Sequence, residues 1–196
     1  MIILKSVLIG DSYTGKTSIS DSLIDNSFNQ NTTNTIGVSF YHKEFKIFNK
    51  NIKLQIWDTS GLDRFIPITK VYIKDSSLIL LIYDITNRQS FNNIKKWFDI
   101  LNQEINNENF IVLIGNKNDK EIERKVTFQE GEILAKELNS NVIFFETSAL
   151  SNKKINNLFT EILYKIFQTE NFDSKIKIRI YSDDDNYHQR YCCNIL

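Results

Sequence analysis

Apolar runs alternate with amphipathic stretches along most of this chain. The runs Ile2–Ile9, Phe40–Phe48, Ile52–Trp57, Leu78–Tyr83, Phe110–Ile114 and Val142–Phe145 predict strands. Between them, Lys16–Asp25, Phe91–Ile105, Phe128–Leu138 and Ile155–Phe167 predict helices. Ile94, Trp97, Phe98 and Leu101 recur at helical spacing. Thr127 and Glu130 form a capping box for the helix that follows. The segments LILLIYDI and FIVLIGN are apolar on both faces, as buried parallel strands are. The second and third strands, joined around Asn49–Asn51, read as a hairpin. Alternating strand–helix units with one hairpin predict an α/β fold: a six-stranded, mostly parallel sheet with one antiparallel strand and helices on both faces. Ligands in such sheets sit at the carboxyl ends of the strands. Gly10, Asp58, Asn116 and Ser148 all fall just after strand ends, so they can converge on one site. From about Glu170 the periodicity decays into SKIKIRIYSDDDNYHQRY, which reads as a mostly disordered tail.

Composition narrows the classes. At 196 residues and 41% apolar content the chain suffices for one domain with a sizeable core. Lys plus Arg and Asp plus Glu are both 24, so net charge is zero, and no basic patch suggests a nucleic-acid partner. The start MIILKSVLIG is too short and ends too abruptly for a signal peptide. No run approaches the roughly 18 apolar residues that span a bilayer. The only cysteines, Cys192 and Cys193, stand near the end, which excludes a disulfide framework and fits a reducing cytosol.

Directly after the first apolar run comes GDSYTGKT, Gly10 to Thr17, a full match to GxxxxGK[ST]. The two glycines permit a tight turn in which successive backbone N–H groups point inward at phosphate oxygens. Asp11, Ser12, Tyr13, Thr14, Gly15 and Ser18 belong to this cradle. The following helix adds its positive N-terminus. Lys16 brings a cation to the outer phosphates, and the Thr17 hydroxyl is a hard ligand for Mg²⁺. After the fifth strand, Asn116-Lys117-Asn118-Asp119 reads NKxD. A carboxylate at Asp119 can accept from both N1–H and the 2-amino group of guanine. Adenine lacks both donors. Asn116 can bridge base and phosphate loop, and the Lys117 stem can lie along the ring.

With these motifs the chain resembles a small GTPase of the Ras superfamily, the Rab branch most closely. KLQIWDTSG (Lys53–Gly61), YDITNRQSFNNIKKW (Tyr83–Trp97) and IGVSF (Ile36–Phe40) carry the likeness, which covers residues 3–168. It implies a P-loop GTPase domain over residues 1–168, with residues 169–196 as a tail. It implies GTP/GDP and Mg²⁺ as ligands. Thr35 then corresponds to the first-switch threonine that reaches Mg²⁺ and the γ-phosphate, and Asp58 to the carboxylate that holds Mg²⁺ through water. The Gly61 N–H would contact the γ-phosphate. Phe28 would pack beside the base, and Ser148, Ala149 and Leu150 lie in the segment whose backbone supports guanine O6. Ile36, Phe40, Trp57 and Tyr72 would face effectors, with the three aromatics partly exposed. The resemblance further implies an escort protein, a GDP-dissociation inhibitor, an exchange factor, a GAP and effectors as partners of a monomer. The ligand would order two loops, and hydrolysis would release them.

The chain departs from the family pattern at informative places. The family reads WDTAGQE where this chain reads WDTSGLD, so Leu62 replaces the glutamine that orients the attacking water. Leucine has no donor or acceptor. A lost hydrogen bond of about 1.5–3 kcal/mol in the transition state slows hydrolysis about 10- to 100-fold. The expected activity is therefore a weak intrinsic GTPase, unless a GAP supplies the missing group. A GTP-bound scaffold with negligible turnover is the rival reading, and an ATP-using P-loop enzyme is a second. Tyr13 replaces a small residue and either shields the nucleotide or points outward. Leu150 replaces a lysine with modest consequence for affinity. Pro67 suits a helix start. His42 and His188 read as surface residues.

The ending Cys192-Cys193-Asn-Ile-Leu resembles a Rab double-cysteine terminus, and its last four residues satisfy the CaaX pattern for geranylgeranyl. Residues 170–191 carry four basic and five acidic side chains, so no polybasic second signal exists there. Two prenyl groups would anchor the protein on the cytoplasmic face of an intracellular membrane, in exchange with the cytosol.

Overall fold

The computed structural model describes residues 1–25, 35–102, 104, 109–168 and 179–180. Phe28, Cys192, Cys193 and His188 lie outside these residues. The strands are β1 (Ile2–Ile9), β2 (Val38–Ile47), β3 (Lys50–Thr59), β4 (Leu78–Asp84), β5 (Phe110–Asn116) and β6 (Ile143–Glu146). The helices are α1 (Lys16–Asp25), α2 (Ile66–Ile73), α3 (Arg88–Leu101), α4 (Phe128–Leu138) and α5 (Asn152–Gln168). The sheet runs in the order β2-β3-β1-β4-β5-β6, with only β2 antiparallel among these six. This is the α/β sheet that the alternation predicts.

The strand pleat sends alternate residues to opposite faces, and both faces are covered. Leu4, Leu8, Leu80, Ile82 and Ile114 join α1 and α5 in one core. Val7, Ile9, Ile79, Leu81 and Leu113 join Ile73 of α2, Ile94 and Trp97 of α3 and Leu134 of α4 in the other. All seven residues of β4 are buried, which is why its sequence shows no alternation. On α5, Ile155, Leu158, Phe159, Ile162, Leu163 and Ile166 are buried at helical spacing.

Several boundaries differ from the sequence-based expectation. α3 starts three residues before Phe91, because Asn87 caps it by accepting from the backbone of Gln89 and Ser90. The β2–β3 turn falls on Phe48 and Asn49, with φ of 46° and 61°, rather than on Asn49–Asn51. Positive φ at both central residues matches the right-handed strand twist. α2, absent from the predicted helices, opens with Pro67 in its first turn. β3 and β5 run on through Asp58 and Asn116, so Asp58 is the penultimate residue of β3 and Asn116 the last of β5 rather than following them. The capping box at Thr127 and Glu130 forms as predicted.

A two-residue strand β7 (Arg179–Ile180) pairs antiparallel with Ile3 and Ile2 of β1. β4 begins opposite Ser6, so this stretch of the β1 edge lies beyond the end of β4. The rest of the predicted tail lies outside the described residues. Among those residues no helix is long and apolar enough to cross a membrane.

Candidate functional site

The loop between β1 and α1 demands its glycines. Gly10 has φ +144°, and a Cβ there would lie 2.1 Å from the Ile82 carbonyl oxygen. Gly15 has φ +92°, and its Cβ would lie 2.2 Å from Asn116 Nδ2. The turn brings Lys16 back under the loop, where its Nζ donates to the carbonyls of Gly10 (2.9 Å) and Asp11 (2.7 Å). Lys16 is 5% exposed. Burial lowers its pKa to about 8, against the opposing pull of Asp58 and Asp11. A desolvated ammonium held by neutral carbonyls favours an anion beside it.

Three oxygen-bearing side chains meet next to this lysine. Thr17 Oγ1 donates to Asp58 Oδ2 at 2.6 Å and lies 2.7 Å from Thr35 Oγ1. Thr35 Oγ1 also donates to Asp58 Oδ2, at 3.4 Å. Asp58 is fully buried, and its Oδ1 has no hydrogen-bond partner among the described residues. Burial raises its pKa, opposed by the Thr17 hydrogen bond and the Lys16 charge. A buried carboxylate with one unpaired oxygen and two hydroxyls at its edge fits a hard divalent cation. No group of three His, Cys, Asp or Glu placed to hold a metal ion exists among the described residues. A cation here would complete its shell with water and phosphate oxygens, as Mg²⁺ does.

The segment after β3 lies against the phosphate loop. A Cβ on Gly61 would sit 2.2 Å from the Ser12 nitrogen, so only glycine lets the two backbones approach. Leu62 is half-buried and precedes the 3₁₀ turn Asp63–Phe65. Its N–H donates to Ser60 Oγ at 3.4 Å. The Ser60 N–H donates to the Gly37 carbonyl at 2.9 Å and ties the segment after β3 to the one before β2.

The residues expected to read the base gather at the ends of β5 and β6. Asn116 Nδ2 donates to the Thr14 carbonyl at 2.8 Å, and its Oδ1 accepts from the Ala149 N–H at 3.2 Å. Lys117, with φ 69°, donates to the Tyr13 carbonyl at 2.8 Å and pairs with Asp84 at 2.7 Å. Asp119 is exposed and accepts from the Ser148 hydroxyl. Leu150 is 52% exposed, and its N–H donates to Ser148 Oγ at 3.2 Å. The Tyr13 side chain is 70% exposed. Ser18 is buried in the first turn of α1.

The aromatic residues named from the resemblance form one continuous stack. Phe40 and Trp57 have ring centroids 4.7 Å apart, and Trp57 stacks on Tyr72 at 4.5 Å. Phe40 is exposed and the other two half-buried, so partial exposure is what the structure shows. Ile36, which precedes β2, is 82% exposed. His42 is exposed on the same strand as Phe40.

Sequence reasoning missed three contributors. Asp84 pairs with Lys117, and its only sequence signal was its place at the end of a fully apolar strand. Asn93 and Trp97 of α3 reach the phosphate loop, where both bond the Asp11 carboxylate. The loop residue Asp11 therefore directs its side chain to α3, while its backbone faces Lys16. Trp97 registered only as a core residue at helical spacing.

Comparisons with known proteins agree with this geometry. The family model described as Ras family matches residues 5–168. The Ras-related protein SEC4 of Saccharomyces cerevisiae is 38% identical over 200 aligned residues, covering 97% of this chain and 91% of its own. The Ras-related protein Rab-10 of Diplobatis ommata is 41% identical, covering 85% of this chain and 82% of its own. The GTP-binding protein ypt2 of Schizosaccharomyces pombe is 39% identical, with 84% and 81% covered. A phosphate-loop motif, a threonine–aspartate cluster and an NKxD segment at one end of the sheet, with relatives of this similarity, show that the chain belongs to the Ras family of small GTPases, on its Rab branch.

Proposed function

We propose that this protein is a Rab-like guanine-nucleotide switch in vesicle trafficking, which binds GTP or GDP with Mg²⁺ and turns GTP over slowly. The observation that carries the reading is the convergence of Lys16, the Thr17–Thr35–Asp58 cluster and the Asn116 bridge on one end of the sheet. Lys16 binds the outer phosphates, and the loop amides orient them. Mg²⁺ on Thr17, Thr35 and Asp58 would neutralise charge on the phosphate oxygens. Asp119 reads the guanine edge. Thr35 and Gly61 belong to two segments already tied by the Ser60–Gly37 hydrogen bond, so loss of a γ-phosphate at either would loosen both. The partly exposed stack of Phe40, Trp57 and Tyr72, with Ile36, is the surface for effectors. Prenylation at Cys192 and Cys193 would place the protein on the cytoplasmic face of an intracellular membrane. An escort protein and a GDP-dissociation inhibitor would then serve the lipidated tail.

The test is displacement of fluorescent GDP from the purified protein. GTP should displace it at least about 10³-fold better than ATP, because the site is built to hydrogen-bond the guanine edge. Comparable potency of ATP would refute the reading.

Leu62 supports a second reading, a GTP-bound scaffold with negligible turnover. An apolar, half-buried side chain stands where the family uses a water-orienting glutamine. Single-turnover hydrolysis by the protein beside Leu62→Gln separates the two. A gain of about tenfold or more in the variant identifies Leu62 as a brake. Equal rates would remove the GTP-biased reading. Multiple-turnover phosphate release then distinguishes a slow switch from a scaffold.

A further inference from the structure

An acidic residue inside an anion-binding loop should repel the ligand, unless its charge is turned away and held. Asp11 is such a residue. Its Oδ1 accepts from Trp97 Nε1 at 2.7 Å, and its Oδ2 accepts from Asn93 Nδ2 at 2.7 Å. Asn93 and Trp97 stand four apart on α3, so both side chains project from one face. The Asn93 amide is oriented by Gln89, whose Nε2 donates to Asn93 Oδ1 at 2.8 Å and leaves Nδ2 for Asp11. Trp97 is 2% exposed, with its indole fixed in the core beneath α3. The backbone of Asp11 does separate work: its carbonyl accepts from Lys16 Nζ at 2.7 Å and from Thr14 Oγ1 at 3.0 Å. Lys96, next to Trp97 on α3 and exposed, holds both carboxylate oxygens of Asp63 at 2.9 Å, just after Leu62.

We propose that Asn93 and Trp97 are positioning residues for nucleotide retention, locking the Asp11 carboxylate onto α3 so that its charge stays out of the phosphate cradle and its carbonyl stays on Lys16. They touch no ligand and act through Asp11. Retention of GDP and GTP depends on them alike, since the clamp lies on the loop common to both. Selectivity for the base does not, since Asp119 and Asn116 lie on other elements. The inference rests on the guanine-nucleotide reading above.

The experiment measures release of fluorescent GDP in Mg²⁺ from the full chain and its variants. Trp97→Phe and Asn93→Ala should each speed release about 10- to 100-fold, the range expected for one charge-assisted hydrogen bond, and Asp11→Ala, which removes both bonds, should speed it at least as much. The double variant Asp11→Ala/Trp97→Phe should release no faster than the faster single variant, because both act through one interaction. GTP-over-ATP selectivity should be unchanged in all of them. Phe98→Leu, which perturbs the same core without reaching Asp11, should lower the melting temperature without speeding release. Additive effects in the double variant would overturn the proposal, as would equal acceleration by Phe98→Leu at matched loss of stability. If Trp97→Phe fails to fold, unchanged release from Asn93→Ala overturns it as well. Failure of the parent protein to bind fluorescent GDP at all would instead remove the guanine-nucleotide reading, and this inference with it.

Discussion

Replacing Asn116 with alanine separates the two halves of the site at one atom group. Asn116 is 1% exposed. Its Nδ2 satisfies the Thr14 carbonyl at 2.8 Å and its Oδ1 satisfies the Ala149 N–H at 3.2 Å, so one amide joins the phosphate loop to the base segment. Alanine leaves both backbone groups without that partner. A stranded buried polar group costs about 1–3 kcal/mol, which bounds the loss at about 2–6 kcal/mol. The vacated space adjoins the ligand site and can admit water, so the lower half applies, with about 3 kcal/mol as the working figure. That loss divides between the stability of the nucleotide-free protein and its grip on nucleotide. Urea unfolding in EDTA reads the first part and release of fluorescent GDP reads the second. If the whole loss falls on binding, release accelerates by about 10²-fold. Asn118→Ala is the matched control. Among the described residues its side-chain oxygen accepts only an exposed 3.3 Å bond from Lys154, so both readouts should stay within about 0.5 kcal/mol of the parent. Release within threefold of the parent and unchanged urea stability in Asn116→Ala would show that the bridge is not what couples the two segments.

Gly10→Ala should cost about 3 kcal/mol or more, or prevent folding, because φ is +144° and the new methyl would meet the Ile82 carbonyl oxygen at 2.1 Å; ordinary urea stability would refute the close approach. Asp58→Asn should abolish most of the acceleration of GDP release by EDTA, since the residue supplies the only carboxylate among Thr17, Thr35 and Asp58; a parent-like response would place the cation elsewhere. Glu130 accepts from Arg88, Thr127 N and Thr127 Oγ1, which hold its pKa down to about 2 from an ordinary 4.5. A depressed carboxyl stabilises the fold above its ordinary pKa and loses that contribution as pH falls from about 4.5 towards about 2. Glu130→Gln should therefore flatten the melting curve against pH in that window, by about 1–3 °C because the group is partly exposed; an unchanged acid limb would refute the assignment.

Much of the fold is written in short-range pattern. β1, α1 and α4 lie where the apolar periodicity puts them, because buried strands and amphipathic helices advertise their faces over eight to eleven residues. The phosphate loop is also local: its two glycines, lysine and threonine fall within one turn, and steric necessity at Gly10 and Gly15 makes their identity readable. The hairpin was readable as a hairpin. Its turn on Phe48–Asn49 was not, since a bulky residue at positive φ runs against turn preference and stays there with an aromatic contact to Tyr164 of α5, 4.9 Å away. α2 escaped notice because eight mostly apolar residues give no clear face.

What the sequence by itself determined was the ligand class, through motifs whose spacing is set by backbone geometry within a loop, and the sheet architecture, through hydrophobic period. What only the tertiary structure decided were the links between segments. Asn116 finds Thr14 across 102 residues, Trp97 finds Asp11 across 86, and Lys117 finds Asp84 at the end of a neighbouring strand. No local rule predicts such partners, because direction and distance between side chains on different elements depend on sheet order and register. The chain encodes them only through the packing of the whole fold.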